Sequence, residues 1–376
     1  MTPVPFKFGK IVDSENFTDR VSETRHLRNN FLGLVNTAII SPRRWGKSSL
    51  VRRAIDSVKE DYDSYVFVNV DLFNANTPES FYKTLASATI HDTSTVIEEA
   101  MRTAKKFLSS LAPSVQINAD NIFSLSLGVK ISQDSPTCDE ILDLPQKIAK
   151  EKDLKVIVCI DEFQIVGDYP DTLAFQRKLR SHWQGHDDVA YCLYGSKFNM
   201  MNSIFGKSTN PFYKFADIVF LDRISNKDWG EYICRRFKET GKEISPDLAE
   251  WVADLVEDHS FYVQQLAQLT WFRTEKKARV QDIEAAFNSL MDQLSLSFTM
   301  NFDSLTAKQK NFLLAIAKGE TNLTSSAVLS EYELGTAANI TTMRKKLEQA
   351  ETISVFPKKT EIQDPLYKAW ILRNRL

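Results

Sequence analysis

The stretch from Asn36 to Val58 constrains the fold more than any other. A short apolar run, Thr37-Ala38-Ile39-Ile40, leads into Ser41-Pro42-Arg43-Arg44-Trp45-Gly46-Lys47-Ser48-Ser49, and Leu50, Val51, Ala54, Ile55 and Val58 then recur at helical spacing. A strand, a loop and a helix in that order suit a polyphosphate, because consecutive backbone N–H groups at a helix N-terminus offset several negative charges. In that reading Gly46 lets the backbone approach closely, Lys47 reaches the β- and γ-phosphates, and the Ser48 hydroxyl holds Mg²⁺. The pattern G-x-x-x-x-G-K-[ST] has glycine where this chain has Ser41, a turn that serine makes at some conformational cost. Gly-Lys-Ser recurs at Gly206-Lys207-Ser208, but no β-run precedes it and Thr209-Asn210-Pro211 follows, which stops a helix. That copy is set aside.

A second chemical feature is Lys155-Val156-Ile157-Val158-Cys159-Ile160-Asp161-Glu162. A buried strand that ends in two carboxylates can place one acid beside a metal and another beside an attacking water. Asp161 is assigned to Mg²⁺ through water, and Glu162 to orienting or deprotonating the nucleophilic water. Val189 to Ser196 is another apolar run that ends in a small polar residue. Two readings stand for Ser196, a sensor of the γ-phosphate or the plain end of a strand.

With Tyr65 to Phe73 and Ala216 to Leu221, four helix-linked strands follow the first. They predict an α/β fold with a doubly wound parallel sheet and ligand at its carboxyl edge. A helical stretch is expected over 78–111, followed by a β-hairpin insertion near 113–131. Residues 5 to 35 precede the first core strand, where a base pocket would be built.

From Ser225 the pattern changes to helices only, with Trp229, Ile233 and Phe237 at i, i+4, i+8. From Phe302 the order is helix (Phe312, Leu313, Ile316), short helix (Val328, Leu329), Gly335, longer helix (Ile340, Met343, Leu347), strand 353–356, a turn at 357–359 and a return strand at 360–362. That order is the winged helix-turn-helix. The third helix presents Asn339, Thr342, Lys345 and Lys346, and the wing tip carries Lys358 and Lys359. The expected domains are a P-loop NTPase core over 1–224, a helical lid over 225–298 and a winged-helix domain over 299–376.

Composition narrows the partners. The 376 residues are 43% hydrophobic and 26% charged with a net charge of −2. Residues 301–376 hold 11 Lys+Arg against 8 Asp+Glu, a net of +3, which is a thin excess for a DNA reader. The N-terminus lacks a basic n-region and an apolar h-region, and no apolar run reaches the ~18 residues needed to span a bilayer, so a cytoplasmic location without membrane attachment is expected. Cys138, Cys159, Cys192 and Cys234 form no C-x-x-C pair and read as free, buried thiols. His182 and His186 have i, i+4 spacing but no third ligand beyond Asp187-Asp188, so a solvated helix end is preferred to a metal site. Arg43 and Arg44 either add charge around the phosphates or make a surface contact.

The chain resembles the archaeal-type P-loop ATPases, a branch of the AAA-related superfamily close to the STAND NTPases. The resemblance rests on Phe17-Thr18-Asp19-Arg20 with Glu23, Ser41 to Ser49, Ile160-Asp161-Glu162-Phe163-Gln164, Tyr194-Gly195-Ser196, Asn210 to Phe215, His259 to Leu266 and Asp364 to Trp370. It implies an ATP-binding core, a helical lid and a C-terminal winged helix, with hydrolysis of ATP to ADP and phosphate. It also makes His259 a nucleotide-sensing candidate; a lone histidine on an amphipathic helix has a structural reading too. The Asn210 to Phe215 segment carries Lys214 where the family often has an arginine, and Arg223 follows. The resulting expectation is an ATP-hydrolysing molecular switch that uses Mg²⁺, with a protein partner engaged through the winged helix or lid and oligomerisation left open. The alternative is an ATP-binding regulator or initiator that binds duplex DNA with little turnover.

Overall fold

All four residues of β1 (Thr37–Ile40) are buried, as a strand covered on both faces requires. In the computed structural model it pairs in parallel with β6 (Val189–Gly195) on one side and with β7 (Asp217–Phe220) on the other. β6 pairs with β5 (Lys155–Asp161), and β5 with β2 (Tyr65–Asp71), so five parallel strands run in the order β2-β5-β6-β1-β7. The doubly wound sheet expected from the strand pattern is present. β6 lies between the loop strand and the acid-bearing strand. The structure describes residues 4–9, 18–95, 99, 102–103, 106–107, 116–117, 123–124, 136–356 and 359–374.

The helix Lys47–Lys59 buries Leu50, Val51, Ala54, Ile55 and Val58, the face that the periodicity predicts. The helical stretch expected over 78–111 begins as Pro78–Asp92, with Pro78 in its first turn and a capping box between Thr77 and Ser80, and the described residues 99, 102–103 and 106–107 are helical as well. Of the insertion, β3 (Gln116–Ile117) pairs antiparallel with β4 (Phe123–Ser124), and the rest of 113–131 lies outside the described residues. Aromatic packing fills the space beside the sheet: Trp183 stacks on Tyr191 at 4.1 Å, and Phe212 packs edge-on to Phe163 at 5.5 Å. Cys138, Cys159 and Cys192 are buried free thiols, whereas Cys234 is only half-buried.

The chain divides into two compact units, Arg20–Leu221 and Met1–Asp19 with Asp222–Leu376. This differs from an expected first domain over 1–224. Phe6 packs on Tyr232 and Phe237 at 6.1 and 5.8 Å, and Phe8 on Phe261 at 5.5 Å. Arg236 and Gln268 donate to the carbonyls of Pro5 and Phe6. Two aromatic anchors thus assign residues 4–9 to the helical unit.

In the second unit the helices Asn226–Glu239, Pro246–Asp254, Ser260–Arg273 and Val280–Asp303 precede Ala307–Ala317, Ser326–Glu331 and Ala337–Gln349. β8 (Ile353–Phe356) then pairs antiparallel with β9 (Lys359–Ile362), and Pro365–Asn374 closes the chain. This is the winged-helix order read from the sequence, with Gly335 at φ 84° between the second and third helices. One apolar core runs from Phe6 to Ile371. The expected boundary at 298/299 falls inside Val280–Asp303, because that helix buries Ile283, Ala286 and Leu290 and then sets Phe298 against Tyr367 (5.2 Å) and Phe302 against Trp370 (5.8 Å).

Candidate functional site

Strand register assembles the candidate residues. Ile40 is in register with Gly195, so Ser41 and Ser196 leave the sheet side by side, and Ile160 is in register with Leu193, so Asp161 and Glu162 emerge on the next strand along. The phosphate loop, Ser196 and both acids therefore share the carboxyl edge of one sheet, where open α/β sheets bind ligands.

Within the loop, Ser41 and Pro42 are buried and Arg43 and Arg44 are exposed. The left-handed positions are Arg44 (φ 63°) and Gly46 (φ 91°), and Ser41 keeps a negative φ. Serine at position 41 thus carries none of the conformational cost expected from the sequence pattern. A Cβ placed on Gly46 would meet nothing within 4 Å, so the backbone there faces open space. Trp45 lends its carbonyl to Arg20 Nη2 at 3.5 Å, and Ser49 lies in the first turn of Lys47–Lys59.

Lys47 opens that helix and is only 7% exposed. Its Nζ donates to the carbonyls of Ser41 (3.2 Å) and Pro42 (3.1 Å). Burial pulls its ammonium down to about 8, against the opposing pull of the Asp161 and Glu162 carboxylates. Ser48 Oγ donates to Asp161 Oδ2 at 3.2 Å. Burial pushes Asp161 up to about 6, with Glu162 adding to the rise and Lys47 opposing it. Glu162 itself takes left-handed backbone angles, φ 54° and ψ 34°, and its N–H donates to Asp161 Oδ1 at 2.8 Å.

This donor set fits a phosphate chain with a hard cation. It offers a helix N-terminus, a cation at its first residue, and a hydroxyl beside a carboxylate, which are oxygen donors of the kind Mg²⁺ takes alongside phosphate oxygens. Among the described residues no group of three or more His, Cys, Asp or Glu is placed to hold a metal by itself.

Three residues of this edge were not singled out from the sequence. Arg20, 3% exposed, pairs with Glu23 at 2.9 Å and reaches the loop at Trp45, which explains the Asp-Arg-x-x-Glu block of the sequence resemblance. Gln164 donates to Glu162, and Gly195 lies against Gln164. All three sit in the quoted motif blocks, but their partners are set by tertiary proximity.

Other candidates fall elsewhere. His259 belongs to the second unit, where it precedes the helix Ser260–Arg273 and its ring lies 5.0 Å from Tyr262. Arg223 donates to the carbonyl of Glu257 (2.7 Å) and pairs with Glu257 and Glu361, both at 3.4 Å. Lys214 is exposed at φ 56°, on a segment held by Arg180 through the carbonyls of Pro211 and Tyr213. Gly206 ends the helix Phe198–Gly206, so the second Gly-Lys-Ser follows a helix where a phosphate loop must precede one. His182 and His186 both face Asp143, at 2.7 and 3.4 Å. Among the described residues no helix is long and apolar enough to cross a membrane.

Comparison with known proteins agrees with this architecture. Residues 296–373 match the family model described as "Probable winged helix domain". No curated protein matches the sequence. The Walker-type ATPase PABY2304 of Pyrococcus abyssi superposes with a TM-score of 0.68 at 16% identity, covering 98% of this chain and 99% of that one. The ORC2 protein of Aeropyrum pernix, solved as ADPNP–ADP complexes, gives 0.59 at 14% identity over 98% and 96% of the two chains. The ORC1 protein of Aeropyrum pernix, solved in complex with DNA, gives 0.50 at 11% identity over 95% and 93%. The chain has the fold of these three archaeal proteins, an α/β core, with a C-terminal winged helix.

Proposed function

We propose that the chain is a Mg²⁺-dependent ATPase that works as a nucleotide-controlled switch, with its winged helix as an interaction module. The observation that carries this reading is the convergence of Lys47, Ser48, Asp161 and Glu162 on one sheet edge, with Ser48 bonded to Asp161 across 113 residues of sequence. Lys47 and the loop amides Arg43 to Ser49 bind and orient the polyphosphate. Ser48 and Asp161 hold Mg²⁺, which supplies charge neutralisation at the phosphates when bound. Glu162 takes a proton from a water whose oxygen bonds to the γ-phosphorus as the bond to ADP breaks. Ser196 is the candidate sensor of the γ-phosphate, and the second unit, including its winged helix, responds to whether it is there. Phosphate release by the purified protein and by Glu162→Gln tests the reading. Turnover should fall about 100-fold or more in the variant, the loss typical of a missing general base, and equal rates would remove Glu162 from its role.

A second reading, an ATP-bound DNA regulator, is supported by the exposure of Lys345 and Lys346 on the helix Ala337–Gln349 and by the DNA complex of the Aeropyrum pernix ORC1 protein. We favour a protein partner for the winged helix, because the charge excess of its segment is small.

A further inference from the structure

Gln164 lies two residues beyond Glu162 and is 2% exposed. Its Nε2 donates to Glu162 Oε2, the oxygen that also accepts from Ser196 Oγ at 3.2 Å. One carboxylate oxygen is therefore held by two neutral donors, one from the turn Phe163–Asp168 and one from the end of β6. The other end of the amide is unusual. Among the described residues Gln164 Oε1 is buried without a hydrogen-bond partner, and it occupies the place where a side chain on residue 195 would begin: a Cβ on Gly195 would lie 1.8 Å from it. Gly195 does not need to be glycine for its backbone, which has no positive φ. It is glycine for the space it yields.

A buried amide oxygen without a partner is destabilising, a cost that an apolar side chain of similar volume would avoid. Packing alone therefore gives no reason for glutamine here, and the use of its N–H on Glu162 does. Glu162 also sits in a left-handed backbone conformation, which persists where neighbours over-determine it. We propose that Gln164 is the positioning residue of Glu162, seated by the absent side chain of Gly195. It fixes Oε2 and leaves Oε1 to receive the proton of the attacking water. The assignment rests on the reading of Glu162 as the base.

The test compares Gln164→Leu, Gly195→Ala and the double variant Gly195→Ala/Gln164→Ser with Glu162→Gln. A fluorescent ATP analogue reports affinity, phosphate release reports kcat and KM, and thermal unfolding reports the fold. Gln164→Leu should keep the affinity and melting temperature of the parent while kcat falls about 10- to 100-fold, the loss expected when a base is displaced by about 1 Å. Gly195→Ala should lose both turnover and stability, because the new Cβ expels the amide. The double variant should recover the melting temperature, since serine leaves room for that Cβ, but not kcat. Parental kcat in Gln164→Leu beside an inactive Glu162→Gln would overturn the positioning role alone. Parental kcat in Glu162→Gln would overturn the base assignment and this proposal with it.

Discussion

Ser48 Oγ and Asp161 Oδ2 stand 3.2 Å apart, one on the first turn after the phosphate loop and the other at the end of β5. If these two oxygens share a cation, Ser48→Ala should raise the Mg²⁺ concentration for half-maximal phosphate release by about 10-fold, the usual loss when a metal's supporting group is removed. Nucleotide affinity in EDTA should be unchanged. Lys47→Met is the contrasting variant. It removes an ammonium that is 7% exposed, so the protein alone should melt no lower than the parent, whereas saturating ATP should no longer raise its melting temperature. A ligand-induced shift that survives Lys47→Met would remove Lys47 from the binding site.

His186 gives the first unit an acid-sensitive point. Its ring is held by Tyr191 Oη at 2.8 Å and by Asp143 at 3.4 Å, with His182 and Asp187 as the other titratable groups facing it. Burial is the largest influence and lowers its pKa below the usual histidine value of 6.5, with Asp143 opposing. Below pH 6.5 the unfolded chain binds a proton that the folded chain refuses, so stability contributed here is complete above 6.5 and declines as pH falls toward the lowered folded value. The loss in urea midpoint between pH 7 and pH 5 should shrink in His186→Gln. An unchanged loss would place the acid sensitivity elsewhere.

The sheet was legible because its strands are continuous apolar runs, and parallel strands buried on both faces leave that signature. The winged helix was legible through the spacing of Phe312, Ile340, Met343 and Leu347, which are all buried as expected. What periodicity cannot carry is the identity of a partner. Nothing in the sequence around Phe6 names its partner, and only the fold places it on Tyr232 and Phe237, more than 220 residues further along the chain. By spacing the helical run from Val280 ends near Leu294, whereas the helix continues to Asp303 and its far end serves a different neighbour. The same holds at the site. Lys47, Ser48, Asp161 and Glu162 announce themselves by motif, whereas Gln164 and Gly195 acquire meaning only once β5 and β6 lie side by side. The cost expected at Ser41 comes from a pattern that records which residue is usual at the first position and not the φ that this loop takes there.

Two motif blocks far apart in sequence meet in the second unit, where Tyr262 donates to Asp364 Oδ2 at 2.6 Å. Asp364 Oδ1 also accepts from the N–H groups of Leu366 (2.9 Å) and Tyr367 (3.1 Å), so it caps the helix Pro365–Asn374. Tyr262→Phe should cost about 1.5–2 kcal/mol in urea unfolding, the lower part of the range for a bond to a charged group. Asp364→Ala should cost about 2–3 kcal/mol, because cap and bond go together. In the Asp364→Ala background, Tyr262→Phe should cost less than about 0.5 kcal/mol, since the shared interaction is already gone. Additive losses would mean that the two residues act separately.

The winged helix offers less to DNA than its outline suggests. Thr342, Lys345 and Lys346 are exposed on Ala337–Gln349, but Lys359 on β9 is paired with Glu361 at 3.1 Å, and Glu361 also faces Arg223 at 3.4 Å. Lys358 lies outside the described residues. With few uncommitted cations among the described residues of the third helix and wing, duplex binding at physiological salt should stay in the non-specific range, weaker than about 1 μM, and should rise steeply at low salt. Titration of labelled duplex at two salt concentrations measures this, with Lys345→Glu and Lys346→Glu weakening all sequences alike. Binding tighter than about 100 nM at physiological salt that is lost in Lys345→Glu would make the winged helix a DNA reader, in the specific range of such modules. The expected result leaves the helix Ala337–Gln349 and its wing for a protein partner, and a pull-down with Glu162→Gln held on ATP would then identify that partner through the state in which the switch is set.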